Sequence, residues 1–394
     1  MEPLQGKQEI GTNPMSSLIL SPKFIMLDSS ALIGLASDWS GENGSAGKQR
    51  ADAFLNRLNL ECWTLFLTFH HVVELLGTND PENAQKRLQL ICQLSFVAWL
   101  RPASKESAGT PGFALDIVTY EFDAVINHGA STLSDVIEHV RPKLIDYGKG
   151  TDIAPKLIRN RNELTQMSAS IQDHGVEVAS FLRAGDSQIQ AMTLREFYRS
   201  PVRNREEVRA GLKAEANRLN RQLQAHGDER LTRPAAAARK FISSTAATLE
   251  SFPDGTLEEL TQQICTAYDV PHEFATPDIT IGELGDLCTF AAQLRKVAPR
   301  IGLSENTPLK KEYPSLCPTW IFWKAIRECQ TRANRAEGGD LNDANLAAMV
   351  LYIDLVHVDK RTHEYLSQVQ RRHPELAGLM KQYSKAPYDR VLEQ

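Results

Sequence analysis

Asp28 closes the run Lys23-Phe24-Ile25-Met26-Leu27, and Asp359 closes Leu355-Val356-His357-Val358 near the other end of the chain. A carboxylate at the last residue of a buried strand stands where an open α/β sheet builds its site, outside the strand carboxyl ends. Asp340 and Asp343 begin an apolar helical stretch just ahead of the second strand. Glu74 lies about one helical turn beyond another strand candidate, residues 62–67. Together these are hard oxygen donors of the kind that hold Mg²⁺ or Mn²⁺ with water and a phosphate. Two such ions activate a water and stabilise the leaving oxygen of a phosphodiester. Like charges crowded without a cation would raise one another's pKa values and cost stability, so a metal is the expected occupant. The acids can share an ion only if the fold brings the two ends of the chain together.

The elements needed for this are legible. Apolar runs at 24–27, 62–67, 96–100 and 355–358 read as buried strands, expected side by side in one parallel sheet with the first and last as neighbours. Between them, 31–36, 48–58, 69–76 and 81–94 carry helical spacing, with Thr68 as a helix N-cap and 41–47 as a Gly/Ser-rich loop. Strand–helix alternation of this kind begins a doubly wound α/β fold. After Pro314 the same character returns, with helices at 320–332, 343–352 and 361–372 and a final short strand at 388–392. Residues 131–296 read as helical with few strand signals. Four segments are therefore expected: a lead-in over 1–22, an α/β unit split between 23–130 and 313–394, and a helical insertion over 131–312.

The 394 residues carry a net charge of −5, so the chain as a whole has no basic signature for nucleic acid, and any such surface must be local. The stretch 195–240 is rich in arginine, with Arg203, Arg205 and Arg209 as the candidate phosphate contacts. The alternative there is a solvated helical face laced with ion pairs. Six scattered cysteines form no CxxC pair or zinc spacing, which points to free thiols in a reducing cytosol. Neither a signal peptide nor a membrane span is expected. There is no P-loop, GxGxxG or GxSxG, and His70-His71 lacks the partners of a zinc motif. His357 reads as a packed histidine.

At its acidic clusters the chain resembles the PIN-domain superfamily of nucleases. The matching pieces are Leu27-Asp28-Ser29-Ser30-Ala31-Leu32-Ile33, His71-Val72-Val73-Glu74-Leu75-Leu76, Asp343-Ala344-Asn345-Leu346-Ala347-Ala348 and Val356-His357-Val358-Asp359. The likeness covers about 24–100 and 315–392. It implies a three-layer α/β/α fold with a central parallel sheet, here carrying a large α-helical insertion. By the same resemblance, Asp28, Glu74, Asp343 and Asp359 are the catalytic, metal-binding acids, Asp340 is an additional or substitute ligand, and Ser30 orients Asp28. The expected activity is Mg²⁺- or Mn²⁺-dependent hydrolysis of nucleic acid, with RNA favoured over DNA by the resemblance alone. A toxin or defence effector held in check by a partner is one setting for it, and a regulatory protein or a homo-oligomer is the expected protein partner. The alternative is a catalytically silent PIN-like scaffold whose insertion mediates protein or nucleic-acid interaction. Taken singly, each acid also has a plain explanation: Asp28, Asp340 and Asp343 as helix caps, Glu74 as a solvated helix residue, Asp359 at a turn.

Overall fold

The computed structural model describes residues 22–104, 109–159, 161–169, 176, 180, 187–199, 205–250, 256–332 and 339–393. Apart from Pro22, the lead-in 1–22 lies outside the described residues. The fold is α/β, built on a mixed six-stranded sheet in the order β4-β3-β2-β1-β5-β6. The strands are β1 (Lys23–Met26), β2 (Trp63–Leu67), β3 (Val97–Leu100), β4 (Ile145–Gly148), β5 (Leu355–His357) and β6 (Gln382–Ser384). All neighbouring pairs are parallel except β3 with β4. The ends of the chain do meet, because Ile25 and Met26 stand opposite Leu355 and Val356.

Side chains alternate across each strand, so a strand covered on both faces is apolar throughout. Ile25, Leu27, Leu65, Leu67, Val97 and Trp99 face one core. That core is closed by α1 (Ser29–Trp39), α2 (Gly44–Leu60), α3 (Phe69–Leu76), α4 (Pro81–Gln93) and α7 (Gly150–Arg159). Met26, Phe66, Ala98 and Leu100 face the other, against α5 (Ala114–Ile126), α6 (Leu133–Leu144) and the helices Ile281–Val297, Pro318–Thr331 and Lys360–Arg372.

Three expectations change. Residues 388–392 are not a strand but part of a 3-10 turn, Tyr388–Glu393, and the last strand is β6. Tyr388 Oη donates to the buried Asp38 carboxylate, which pulls the tail down so that Val391 and Leu392 fill the core beside α2. The loop assigned to 41–47 yields to α2 at Gly44. A side chain at Gly47 would put its Cβ 2.7 Å from Asp38 Oδ1, so only glycine lets that helix pass over the Asp38 cluster. Finally, the segment 131–312 is not helical throughout. α6 delivers β4 onto the sheet edge, and Phe290 stacks edge-on against Phe122 and Trp320 in the main core. Within the segment, the helices Arg205–His226 and Pro234–Glu250 form a core of their own from Leu219, Leu223, Ala237, Ala238 and Ile242.

Two polar clusters stabilise the frame. At the amino ends of β1 and β5, Asp354 accepts from the Phe24 N–H at 2.9 Å and pairs with Arg141. In the core, the fully buried Glu121 of α5 accepts from Tyr352 Oη and from the Thr319 N–H at 2.9 Å. Burial pushes the Glu121 carboxyl up to about 7, and the Thr319 and Tyr352 hydrogen bonds only partly oppose the shift.

Candidate functional site

The chain leaves β1 outward through β2, β3 and β4, and fills the opposite side only later with β5 and β6. Strand order therefore reverses between β1 and β5, the kind of switch point where an open α/β sheet forms a crevice beyond its strand carboxyl ends. Asp28 follows β1 and Asp359 follows β5, so these two acids leave adjacent strands.

Asp28 is the N-cap of α1. Its Oδ1 accepts from the Ala31 N–H at 2.7 Å and from Ser30 Oγ at 3.1 Å. His357 Nδ1 stands 3.5 Å from the same oxygen. Burial alone would raise the Asp28 pKa, but His357 and the Ala31 and Ser30 bonds outweigh it and hold the carboxyl below its ordinary range. Among the described residues, Oδ2 enters no hydrogen bond. His357 is thus more than a packed histidine, since its ring lies against the strand-end acid.

Glu74 projects from α3 toward the same crevice edge. Burial raises its pKa and the Asp28 charge adds to the shift, while Ser29 and Asn342 lower it by facing the carboxylate. Asn342 was not anticipated; it lies on the helix Asp340–Ala347 and brings that helix to Glu74. Asp343, half-buried, lies one residue further along the same helix. Asp340 is its first residue, and its side chain lies outside the described residues. Asp359 is exposed and caps the helix Lys360–Arg372, with Oδ1 accepting from the Thr362 N–H at 2.6 Å. The plain capping roles of Asp28 and Asp359 are therefore real, and each leaves a second oxygen on the same carboxylate.

The carboxylate oxygens are hard donors of the kind a divalent cation takes, while Ser29 faces the Glu74 carboxylate and His357 Nδ1 stands beside Asp28. The spacing is wider than expected. Among the described residues, Asp28, Glu74, Asp343 and Asp359 do not bring three ligand atoms within 4.8 Å of one another, whereas Asp123, His128 and His139 do so elsewhere.

His71 holds the crevice together and was passed over in the sequence because its role depends on tertiary contacts. It is fully buried, Nδ1 accepts from the Thr68 N–H at 2.9 Å, and Nε2–H therefore donates to the Leu27 carbonyl at 2.8 Å. The ring ties the residue before Asp28 to the start of the helix bearing Glu74. Burial drives its pKa down to about 4, so it is neutral at pH 7. Its stabilising contribution is complete above the unfolded value of 6.5 and is lost as pH falls toward 4. Replacing His71 with Ala strands a buried carbonyl and N–H and is expected to cost about 2 kcal/mol or more at pH 7. Urea melts at pH 7 and pH 5 check this, and the cost should shrink at the lower pH.

The arginine stretch is partly neutralised. Arg195 pairs with Asp278 at 2.8 Å, Arg230 with Asp228 at 2.7 Å, and Arg218 with Glu215. These three follow the ion-paired reading. Arg203 lies outside the described residues; Arg205 and Arg209 belong to the helix Arg205–His226, and their side chains also lie outside them. No protein-family model matches the chain, and neither the curated proteins nor the solved structures give a match.

Proposed function

We propose that the chain is a PIN-like, metal-dependent nuclease hydrolysing phosphodiester bonds, with RNA the preferred substrate. The observation that carries this reading is the pairing of β1 with β5, which sets Asp28 and Asp359 on neighbouring strand ends at the reversal of strand order. Glu74 and Asp343 lie on two further helices, one on each side of the long intervening segment, and Asn342 next to Asp343 faces Glu74.

In this reading Asp28, kept ionised, is the fixed anionic ligand, with Ser30 and the Ala31 N–H orienting Oδ1 and leaving Oδ2 outward. Glu74, Asp343 and Asp359 complete the donor set, with Asp340 beside them. Burial and the Asp28 charge make Glu74 hold its proton more readily than an ordinary glutamate, and a bound cation would favour its ionised form. A bound Mg²⁺ or Mn²⁺ would acidify the attacking water and offset charge on the phosphate.

The second reading, a catalytically silent scaffold, is favoured by the spacing of the acids and by the capping roles of Asp28 and Asp359. Incubating the purified chain with labelled RNA and DNA in Mn²⁺, Mg²⁺ or EDTA separates the two. Metal-dependent cleavage supports the nuclease, and none on either polymer leaves the scaffold.

The arginine helix gives a further expected result. Reversing Arg203, Arg205 and Arg209 to Glu should weaken nucleic-acid binding and flatten its salt dependence, because phosphate contacts act through counterion release. Titrations at two salt concentrations read this directly, and an unchanged slope would remove that helix from the substrate path.

A further inference from the structure

A second polar cluster lies on α5, the turn after it and α6. α5 starts beside the end of β3, where the Gly112 N–H donates to the Leu100 carbonyl. Asp123 is in its last turn, His128 lies in the turn that follows, and His139 is on α6. His128 Nε2 stands 3.3 Å from Asp123 Oδ2, and His139 Nε2 stands 3.8 Å from the same oxygen. The three donor atoms lie within 4.8 Å of one another, and the two rings are tilted with centroids 4.3 Å apart.

From these contacts we propose a late first-row transition-metal site, suited to Zn²⁺, held by Asp123, His128 and His139. Three arguments carry it. Ligands about 2.0–2.1 Å from a tetrahedral zinc lie about 3.3 Å from each other, close to the two separations from Asp123 Oδ2. Two imidazoles and one carboxylate are the donor mixture that favours zinc, cobalt, nickel or copper over Mg²⁺. The carboxylate is already oriented, because Asn127 Nδ2 donates to Oδ1 at 2.9 Å and leaves Oδ2 to face the rings. His128 is half exposed, so a fourth position opens to water.

The ammonium of Lys143 competes for this place. It lies 3.1 Å from Asp123 Oδ2 and is hydrogen-bonded to His139 Nε2. That contact uses the Nε2 lone pair as an acceptor, which is the lone pair a metal needs. Lys143 is partly exposed on a flexible stem, so it can turn outward when a divalent ion displaces it. A bound ion would cross-link the end of α5, the following turn and α6.

Calorimetric titration of the full chain with ZnCl₂ tests the site, with melting temperature and the visible spectrum of the Co²⁺ form as independent readouts. Wild type should bind one Zn²⁺ that is lost in His139→Ala and His128→Ala, and the melting temperature should rise with the metal. Lys143→Met should bind about tenfold more tightly, as a competing cation is removed. Titrating in excess Mg²⁺ and in the Asp28→Asn background keeps the carboxyl edge from contributing a second Zn²⁺, so the result stands whatever that edge does. The proposal is overturned if neither wild type nor Lys143→Met binds Zn²⁺, or if binding persists in the two histidine variants. If Lys143→Met folds poorly by circular dichroism, the comparison of wild type with His139→Ala decides alone.

Discussion

If the chain is the nuclease proposed above, Asp28→Asn is expected to lower its metal-dependent RNA cleavage by roughly a hundredfold or more while leaving the fold intact. The substitution keeps the shape of the side chain, and asparagine caps a helix about as well as aspartate, so α1 retains its N-terminal bond to the Ala31 N–H. What disappears is the negative charge and the anionic Oδ2. Asp28→Ala, by contrast, also removes the cap and should cost about 1 kcal/mol of stability. Comparing single-turnover rates and urea midpoints of the two variants separates the chemical role from the structural one. Cleavage by Asp28→Asn at the wild-type rate would sink the assignment of Asp28 to the reaction.

The second large effect concerns the buried core. Glu121 titrates at about 7 in the folded chain against an ordinary 4.5, so the folded state binds its proton more tightly than the unfolded state. The stability tied to that proton is fully present below pH 4.5 and is lost as pH rises through 7. The swing is on the order of 3 kcal/mol. Glu121→Gln preserves an acceptor for Tyr352 and Thr319 but cannot ionise, and should therefore be more stable than wild type at pH 8 with little gain at pH 4.5. Chemical denaturation at these two pH values reads the difference directly, and an equal effect at both would mean that ionisation of Glu121 is not the cause. His71 pulls in the opposite direction, its contribution growing with pH between 4 and 6.5. The two slopes oppose each other in wild type, so the Gln variant should show a steeper rise over that interval.

Four strands were readable because their residues are buried on both faces: Phe66, Ala98 and Val356 are fully enclosed, and their neighbours nearly so. β4 and β6 sit at the two edges of the sheet, where one side needs no apolar cover. Ile145-Asp146-Tyr147-Gly148 and Gln382-Tyr383-Ser384 therefore carry no continuous hydrophobic run. Pro142 just ahead of β4 further obscured the change from helix to strand. Of the candidate site, the strand-end acids were legible because a polar residue ending an apolar run is a local signal. His71, Asn342 and the ring of His357 were not, since each acquires its partner only when separate elements pack together. The same holds for Asp123, His128 and His139, which belong to a helix, a turn and the next helix.

The pairing of β1 with β5 also shapes how the molecule must be made. Phe24 and Asp354, which bond across that junction, are separated by 330 positions. At about 5–20 residues per second, a ribosome needs roughly 15–70 s to supply the second strand after the first has emerged. Throughout that interval β1, destined for the middle of the sheet, is an open edge with unpaired N–H and C=O groups, a template for any passing strand. Such distant pairing is intrinsically slow to form, because the long loop must close before the contact is gained. The crevice between the two strand ends cannot exist until about nine-tenths of the chain has been made, since β5 begins only at Leu355. Any activity that depends on it is therefore withheld from every incomplete copy.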